Sequence, residues 1–320
     1  MNESIKKVAV IGTGVIGNGW IARFLSQGYE VTAFDPAAGA EERTRLAVNH
    51  AWPSLEERGL AANASKDRLF FKDDLAEAVS GADYIQENVP EREELKKSVL
   101  HTIDQHARMD ALIGSSTSGI KPSILQSDMI HPERFFVAHP FNPVYLLPLV
   151  EVVGGEQTNK KALEQAGRFF SSIDMKPLTI HKEIDGHVAD RLMEALWREA
   201  LHLVNDGIAT TEEVDKAIIY GAGLRWAQMG PFLTFHLAGG EQGMRHMLEQ
   251  FGPALKLPWT KLKAPELTEE LKERVISGCE EYAGDQSVSD LEAKRNEFLV
   301  KLLALVEEYW PEESQAKANI

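Results

Sequence analysis

Hydrophobic and polar positions follow two regimes that meet near residue 185. Before it, short apolar runs rich in β-branched residues alternate with amphipathic stretches. Strands are predicted at residues 8–11, 30–34, 69–72, 83–89, 111–114, 135–138, 146–153 and 178–181. Helices are predicted between them: one carrying Ile21, Phe24 and Leu25 that Gly28 ends, a polar stretch at 37–68 with a turn near Arg58-Gly59, and others at 75–79, 91–105 and 158–173. Strand and helix in strict alternation predict a doubly wound sheet. From residue 186, Val188, Leu192, Leu196, Ala200 and Leu203 recur at helical spacing, and no strand pattern follows. Gly221, Gly223, Gly230 and Gly239-Gly240 punctuate these helices, a charged helical tail starts near Thr268, and fraying is expected from Pro311.

The first strand runs straight into Gly12-Thr13-Gly14-Val15-Ile16-Gly17 and then a helix. Strand, glycines and helix in this order read as a dinucleotide-binding turn. Gly12 permits the sharp bend, Gly14 lets the backbone approach a pyrophosphate, and Gly17 allows close helix–strand packing. Unpaired N–H groups at the helix start favour phosphate. Asp35 ends the second strand, where a carboxylate accepts from the adenosine 2′-hydroxyl. Pro36 and Ala37 follow it without an arginine for a 2′-phosphate, so the expected cofactor is NAD rather than NADP. The fold is therefore read as α/β, an N-terminal Rossmann-type doubly wound sheet that binds NAD (1–185) followed by an all-α C-terminal domain (186–320).

Composition narrows the functional classes. The 320 residues carry a formal net charge of −15, which repels phosphates and argues against a nucleic-acid or anionic-membrane partner. No stretch is long and apolar enough to span a bilayer, and MNESIKK lacks an apolar signal core. The single cysteine, Cys279, excludes an internal disulfide, reads as a structural thiol and fits a reducing cytoplasm.

Moving hydride from an alcohol carbon to NAD requires a base for the hydroxyl proton, and a histidine held by a carboxylate supplies it. His139 and Glu151 lie on consecutive extended runs joined by a proline-rich turn, so neighbouring strands can bring them together. Taken singly, a histidine before proline is an ordinary loop residue. A carboxylate inside LVEVV must be paired or exposed. Ser118, in SSTSG after the fifth strand, sits where open α/β sheets bind ligands, although alone it reads as a turn serine. No metal site is expected.

In order along the chain, VIGTGVIG, VPE with LKK, STS, AHPFNP, LVEVV, DGHVADR and GAGLRWAQMGPF resemble the short-chain L-3-hydroxyacyl-CoA dehydrogenase superfamily, to about residue 260. The resemblance implies a catalytic set of Ser118, His139 and Glu151. It implies contacts to the nicotinamide end from Glu91 and Lys96, a place beside the reacting centre for Asn142, and a homodimer. Where the family usually has asparagine, this chain has Asp190. Asparagine can donate to a substrate oxygen, whereas ionised aspartate only accepts. Crystallin-like relatives of this fold leave an NAD-binding structural protein as the non-enzymatic alternative.

The segments GLRWA and IQENVPE resemble the branch acting on free hydroxy acids rather than CoA thioesters. The insert at 37–68 agrees: Arg43, Arg45, Arg58, Lys66 and Arg68 are balanced by Glu41, Glu42, Glu56, Glu57 and Asp67, leaving no surplus for CoA phosphates. The implied substrate is L-carnitine, oxidised to 3-dehydrocarnitine, with L-gulonate and 3-hydroxyacyl-CoA as alternatives. A trimethylammonium group is held by aromatic faces and carboxylates. Phe141, Tyr145, Trp226, Phe232 and Phe235 are candidates for the faces, Asp190 adds charge, and Arg225, or else Lys121, is the expected partner of the substrate carboxylate. In a helical domain, such aromatics are also ordinary core.

Overall fold

The computed structural model describes residues 5–309 except 228, 262, 264, 265, 267 and 284. The tail beyond Pro311 and the side chain of Cys279 lie outside the described residues. The chain forms two compact units, 1–190 and 191–320.

The first unit is built on one sheet. Its strands are β1 (Lys7–Ile11), β2 (Glu30–Phe34), β3 (Leu69–Phe71), β4 (Tyr84–Glu87), β5 (Leu112–Ser115), β6 (Phe135–Pro140), β7 (Leu149–Val153) and β8 (Lys176–Ile180). Their order is β3-β2-β1-β4-β5-β6-β7-β8. All pairs are parallel except β6 with β7, which is antiparallel. The six parallel strands have the Rossmann order, with the β1 and β4 tips flanking its switch point.

Helices cover both faces: α1 (Val15–Ser26), α2 (Ala40–Arg58), α3 (Leu75–Val79), α4 (Glu93–His106), a short α5 (Pro122–Leu125) and α6 (Lys160–Ser172). Successive side chains of β1 point to opposite faces, so its unbroken VAVI run feeds two cores. Val8 and Val10 join Trp20 and Phe24 of α1, Trp52 of α2 and Phe169 and Phe170 of α6. Ala9 and Ile11 join Val79, Leu100 and Ile103 from α3 and α4. Phe24 is fully buried, which stabilises the fold by roughly 1.5–3 kcal/mol.

The predicted strand at 146–153 starts later, at Leu149. The amides of Leu146 and Leu147 both donate to Pro143 O at 2.9 Å, which closes a turn after β6. Arg23 of α1 anchors that turn from below, donating to Val144 O at 2.8 Å and Ile173 O at 3.3 Å. Burial lowers its pKa to about 10, with Asp174 opposing and Arg58 adding to the shift. It therefore stays charged at neutral pH, its fork spent on backbone carbonyls.

The second unit is helical: α7 (Ala189–Asn205, from Arg191 onward), α8 (Thr211–Ala217), a π-helical turn at Ile218–Ala222, α9 (Gly223–Trp226), α10 (Pro231–Ala238), α11 (Gly243–Phe251), α12 (Glu269–Ala283) and α13 (Val288–Tyr309). Thr210 caps α8 in a reciprocal box with Glu213. Leu201, Val204, Leu271 and Val300 are buried, whereas Leu192, Trp197, Phe232, Leu255 and Trp259 are each more than half exposed. Among the described residues no helix is long and apolar enough to cross a membrane.

Candidate active site

The glycine turn joins β1 to α1. Gly12 adopts φ +86°, and its amide donates to Phe34 O at 2.9 Å. A Cβ there would lie 2.8 Å from the Asn88 backbone, and one on Gly17 would lie 1.9 Å from Gly12 O. These two glycines serve the protein's own packing. Gly14 differs, since a Cβ on it meets nothing within 4 Å. It is the N-cap of α1, and the first turn has neither a capping side chain nor an acidic residue. The orphan N–H groups thus face open space beside a bare backbone, which fits a pyrophosphate. Val15 is exposed and Ile16 packs against the sheet core.

Asp35 has a structural task that the sequence did not announce. Its carboxylate accepts from Thr13 N at 2.8 Å, Thr13 Oγ1 at 3.2 Å and Ala37 N at 2.9 Å. It ties the glycine turn to the end of β2 and leaves lone pairs for a ribose.

At the β4 and β5 tips a buried ion pair, Lys96 with Glu87, lies beside the exposed Glu91. Lys96 of α4, 1% exposed, places Nζ 2.9 Å from Glu87 Oε1, 2.9 Å from Val89 O and 3.4 Å from Glu91 Oε2. Ser115 Oγ and Val89 N complete the shell of Glu87. Glu91 Oε1 accepts from Thr117 Oγ1 at 2.5 Å and from Ser118 N and Gly119 N at 3.1 Å each. Burial works to raise the Glu91 pKa, but the Thr117 bond, Lys96 and the Gly119 amide outweigh it and keep the carboxylate below its usual range. Glu91 and Lys96, expected near the nicotinamide, thus also shape the loop that carries Ser118.

On the antiparallel β6–β7 pair, His139 stands opposite Glu151. Nδ1 is 3.0 Å from Glu151 Oε2, and Nε2 is 3.2 Å from Ser118 Oγ and 3.5 Å from Asp190 Oδ2. An ionised carboxylate only accepts, so the neutral ring carries its proton on Nδ1 and turns the Nε2 lone pair toward Ser118. The other oxygen of Glu151 accepts from Val188 N and Ala189 N at 2.9 Å each. Burial pushes the Glu151 pKa up, and the bonds from His139, Ala189 and Val188 more than reverse it. Phe141 meets the His139 ring edge-on at 5.0 Å. His187, which sequence reasoning passed over, has its ring centroid 5.4 Å from that of His139. Its only signal in the sequence is a histidine following Asp185-Gly186.

Ser118, His139, Glu151, Asp190 and Phe141 are therefore gathered in one place. Asn142 is exposed in the turn beyond β6, and Tyr145 packs against the sheet core. Lys121 is paired with Asp185 at 3.1 Å. Arg225, Trp226, Phe232 and Phe235 belong to the second unit, on α9 and α10, where all four are exposed. Among the described residues no group of three or more His, Cys, Asp or Glu is arranged to hold a metal ion.

The model of the 3-hydroxyacyl-CoA dehydrogenase NAD binding domain matches residues 7–184, and that of the 3-hydroxyacyl-CoA dehydrogenase C-terminal domain matches 186–277. An L-carnitine dehydrogenase of Oceanobacillus iheyensis is 71% identical over 96% of this chain and 100% of its own. One of Pseudomonas putida is 56% identical over 94% of each chain. Among solved structures, a 5-formyl-3-hydroxy-2-methylpyridine 4-carboxylic acid 5-dehydrogenase, an NAD+ dependent dismutase, superposes with a TM-score of 0.80 at 29% identity, covering 95% of this chain and 99% of that one. Sequence, sheet order and glycine turn converge: the chain belongs to the 3-hydroxyacyl-CoA dehydrogenase family, with its NAD-binding domain followed by its helical C-terminal domain.

Proposed function

We propose that this protein is an NAD-dependent dehydrogenase that oxidises the 3-hydroxyl of L-carnitine to 3-dehydrocarnitine. The observation that carries the chemistry is the hydrogen-bonded series Ser118–His139–Glu151. The substrate follows the L-carnitine dehydrogenases that the chain resembles over nearly its whole length.

Gly14 and the backbone of Val15 and Ile16, in the turn that Gly12 and Gly17 shape, would hold the pyrophosphate, and Asp35 the adenosine ribose. Glu91, braced by Lys96, would border the nicotinamide end. When bound, the nicotinamide supplies the acceptor for the hydride leaving C3. His139 Nε2 takes the hydroxyl proton, while Ser118 Oγ–H donates to the same substrate oxygen and holds it in line. Glu151 keeps the proton on Nδ1 and stabilises the imidazolium that forms, with Asp190 assisting from 3.5 Å. Oxidation requires the Nε2 lone pair of His139 to be free to accept the hydroxyl proton.

For the substrate ends, the first unit offers Asp190 and the faces of Phe141 and Tyr145 for the trimethylammonium and Asn142 for the reacting centre, and the second unit, taken by itself, offers the exposed Trp226 and Phe232 as aromatic faces and Arg225 as a carboxylate partner. Residues 1–185 would form the NAD-binding domain, which also carries Ser118, His139 and Glu151, and 186–320 the substrate and dimerisation domain. The exposed stripe Leu192, Met193, Leu196 and Trp197 on α7 supports association with a second copy of the chain. A single cysteine is compatible with the cytoplasm. The test is NADH formation with L-carnitine, L-gulonate and 3-hydroxybutyryl-CoA in parallel. Turnover with carnitine is expected to exceed the other two, and a preference for either of them would overturn the substrate.

A further inference from the structure

Ser118 hangs on a peptide that is gripped at both ends. Its amide donates to Glu91 Oε1 at 3.1 Å, and the carbonyl of the same peptide unit, Thr117 O, lies 3.1 Å from His187 Nε2. A carbonyl only accepts, so Nε2 carries the ring proton. Nδ1 is buried without a hydrogen-bond partner among the described residues. Charging the ring would bury a second, unsatisfied N–H, and His187 therefore remains a neutral, fixed donor. Burial, chiefly, and the nearby His139 hold its pKa below the usual value against the opposing Thr117 bond, Glu151 and Asp190.

The backbone makes a concession to put this ring there. His187 has φ +47°, directly after Gly186 at +72°, and its amide closes the turn on Ile184 O at 3.2 Å. A residue with a Cβ is disfavoured in this region, and such conformations cluster where the side chain has a function. The same ring packs on His139, with centroids 5.4 Å apart. It thus holds the peptide that carries Ser118 and packs on the ring that Ser118 meets.

We infer that His187 is a positioning residue: by anchoring the Thr117 carbonyl while Glu91 holds the Ser118 amide, it sets the reach of Ser118 Oγ to His139. The inference deepens the dehydrogenase reading and rests on it for its kinetic arm. His187→Asn is the informative variant, because asparagine tolerates the left-handed backbone yet is too short to reach Thr117 O. Its kcat is expected to fall about 10- to 100-fold with the KM for NAD little changed. His187→Gln, which retains a longer amide donor, should recover most of that loss. In a Ser118→Ala background His187→Asn should cost less than about twofold, since residues acting as one unit are not additive. Independently of any substrate, amide hydrogen exchange across 115–119 should speed about tenfold in His187→Asn and return toward wild type in His187→Gln. An undiminished kinetic cost in the Ser118→Ala background, or unchanged exchange, would overturn the inference. If the wild type oxidises no carnitine, the substrate reading fails while the exchange experiment still decides on the clamp.

Discussion

His139 and Glu151 face each other across the antiparallel β6–β7 pair, and the Glu151 carboxylate spends one oxygen on the imidazole and the other on the amides of Val188 and Ala189. One side chain thus fixes the tautomer of the proposed base and the start of α7. Replacing Glu151 by Gln keeps an acceptor for the two amides but removes the charge that holds the proton on Nδ1. We expect kcat to fall about 10²- to 10⁴-fold, with NAD affinity retained. Steady-state kinetics beside NAD titration monitor the two quantities, and a kcat within threefold of wild type, roughly 0.6 kcal/mol, would contradict the role of the carboxylate.

Asp35 both tethers the glycine turn and is assigned to the ribose. In Asp35→Ala the Thr13 and Ala37 amides lose their acceptor. NAD affinity should drop by at least about tenfold, and the preference for NAD over NADP should shrink, because the repulsion of a 2′-phosphate disappears. Comparing KM for the two cofactors checks this, and an unchanged ratio counts against the ribose assignment.

The two ends of carnitine separate in mutagenesis. Asp190→Asn removes a negative charge near His139 Nε2. The KM for carnitine should rise about fivefold, about 1 kcal/mol, and the rise should shrink at high salt. Arg225→Lys replaces a fork with a point charge and should also raise that KM. If Arg225→Lys leaves KM unchanged, the carboxylate is held elsewhere.

The exposed apolar stripe of α7 leads to an expectation about assembly. The protein should sediment as a dimer, and Trp197→Glu should shift it toward monomer by burying a charge at the interface. A wild-type protein that sediments as a monomer at all concentrations would remove the proposal.

Stability should fall on acidification in two stages. His187 has a depressed pKa in the folded state. Between that value and its unfolded value of about 6.5 the unfolded chain binds the extra proton, so stability is lost as pH falls below about 6.5. Glu91, Asp104 and Glu151 are also depressed: burial acts to raise each, and their partners prevail, Arg134 with the His131 and Ile130 amides in the case of Asp104. Their contribution is present above the ordinary carboxylate value of about 4 and is lost as pH falls through their folded values. Denaturant midpoints measured from pH 8 to pH 3.5 test both stages. His187→Asn should flatten the upper stage and leave the lower one, and an unaltered upper stage in that variant would show that another group produces it.

The amino-acid sequence by itself determined the eight-strand succession, the glycine turn and the change to helices, because strand period, helix period and glycine placement are local properties. It also named Ser118, Glu151, Asp190 and Phe141, though not His187, among the residues that the first unit gathers around His139, since motif order along a chain survives without coordinates. Tertiary structure alone decided how they meet. That β7 reverses direction, placing Glu151 directly opposite His139, depends on a turn closed on Pro143 O and anchored by Arg23 from a different helix. Likewise Glu91 and His187 are separated by nearly a hundred residues, and no local pattern relates them. They become partners through one peptide unit, because hydrogen bonds between distant segments are fixed only when the sheet brings the segments together.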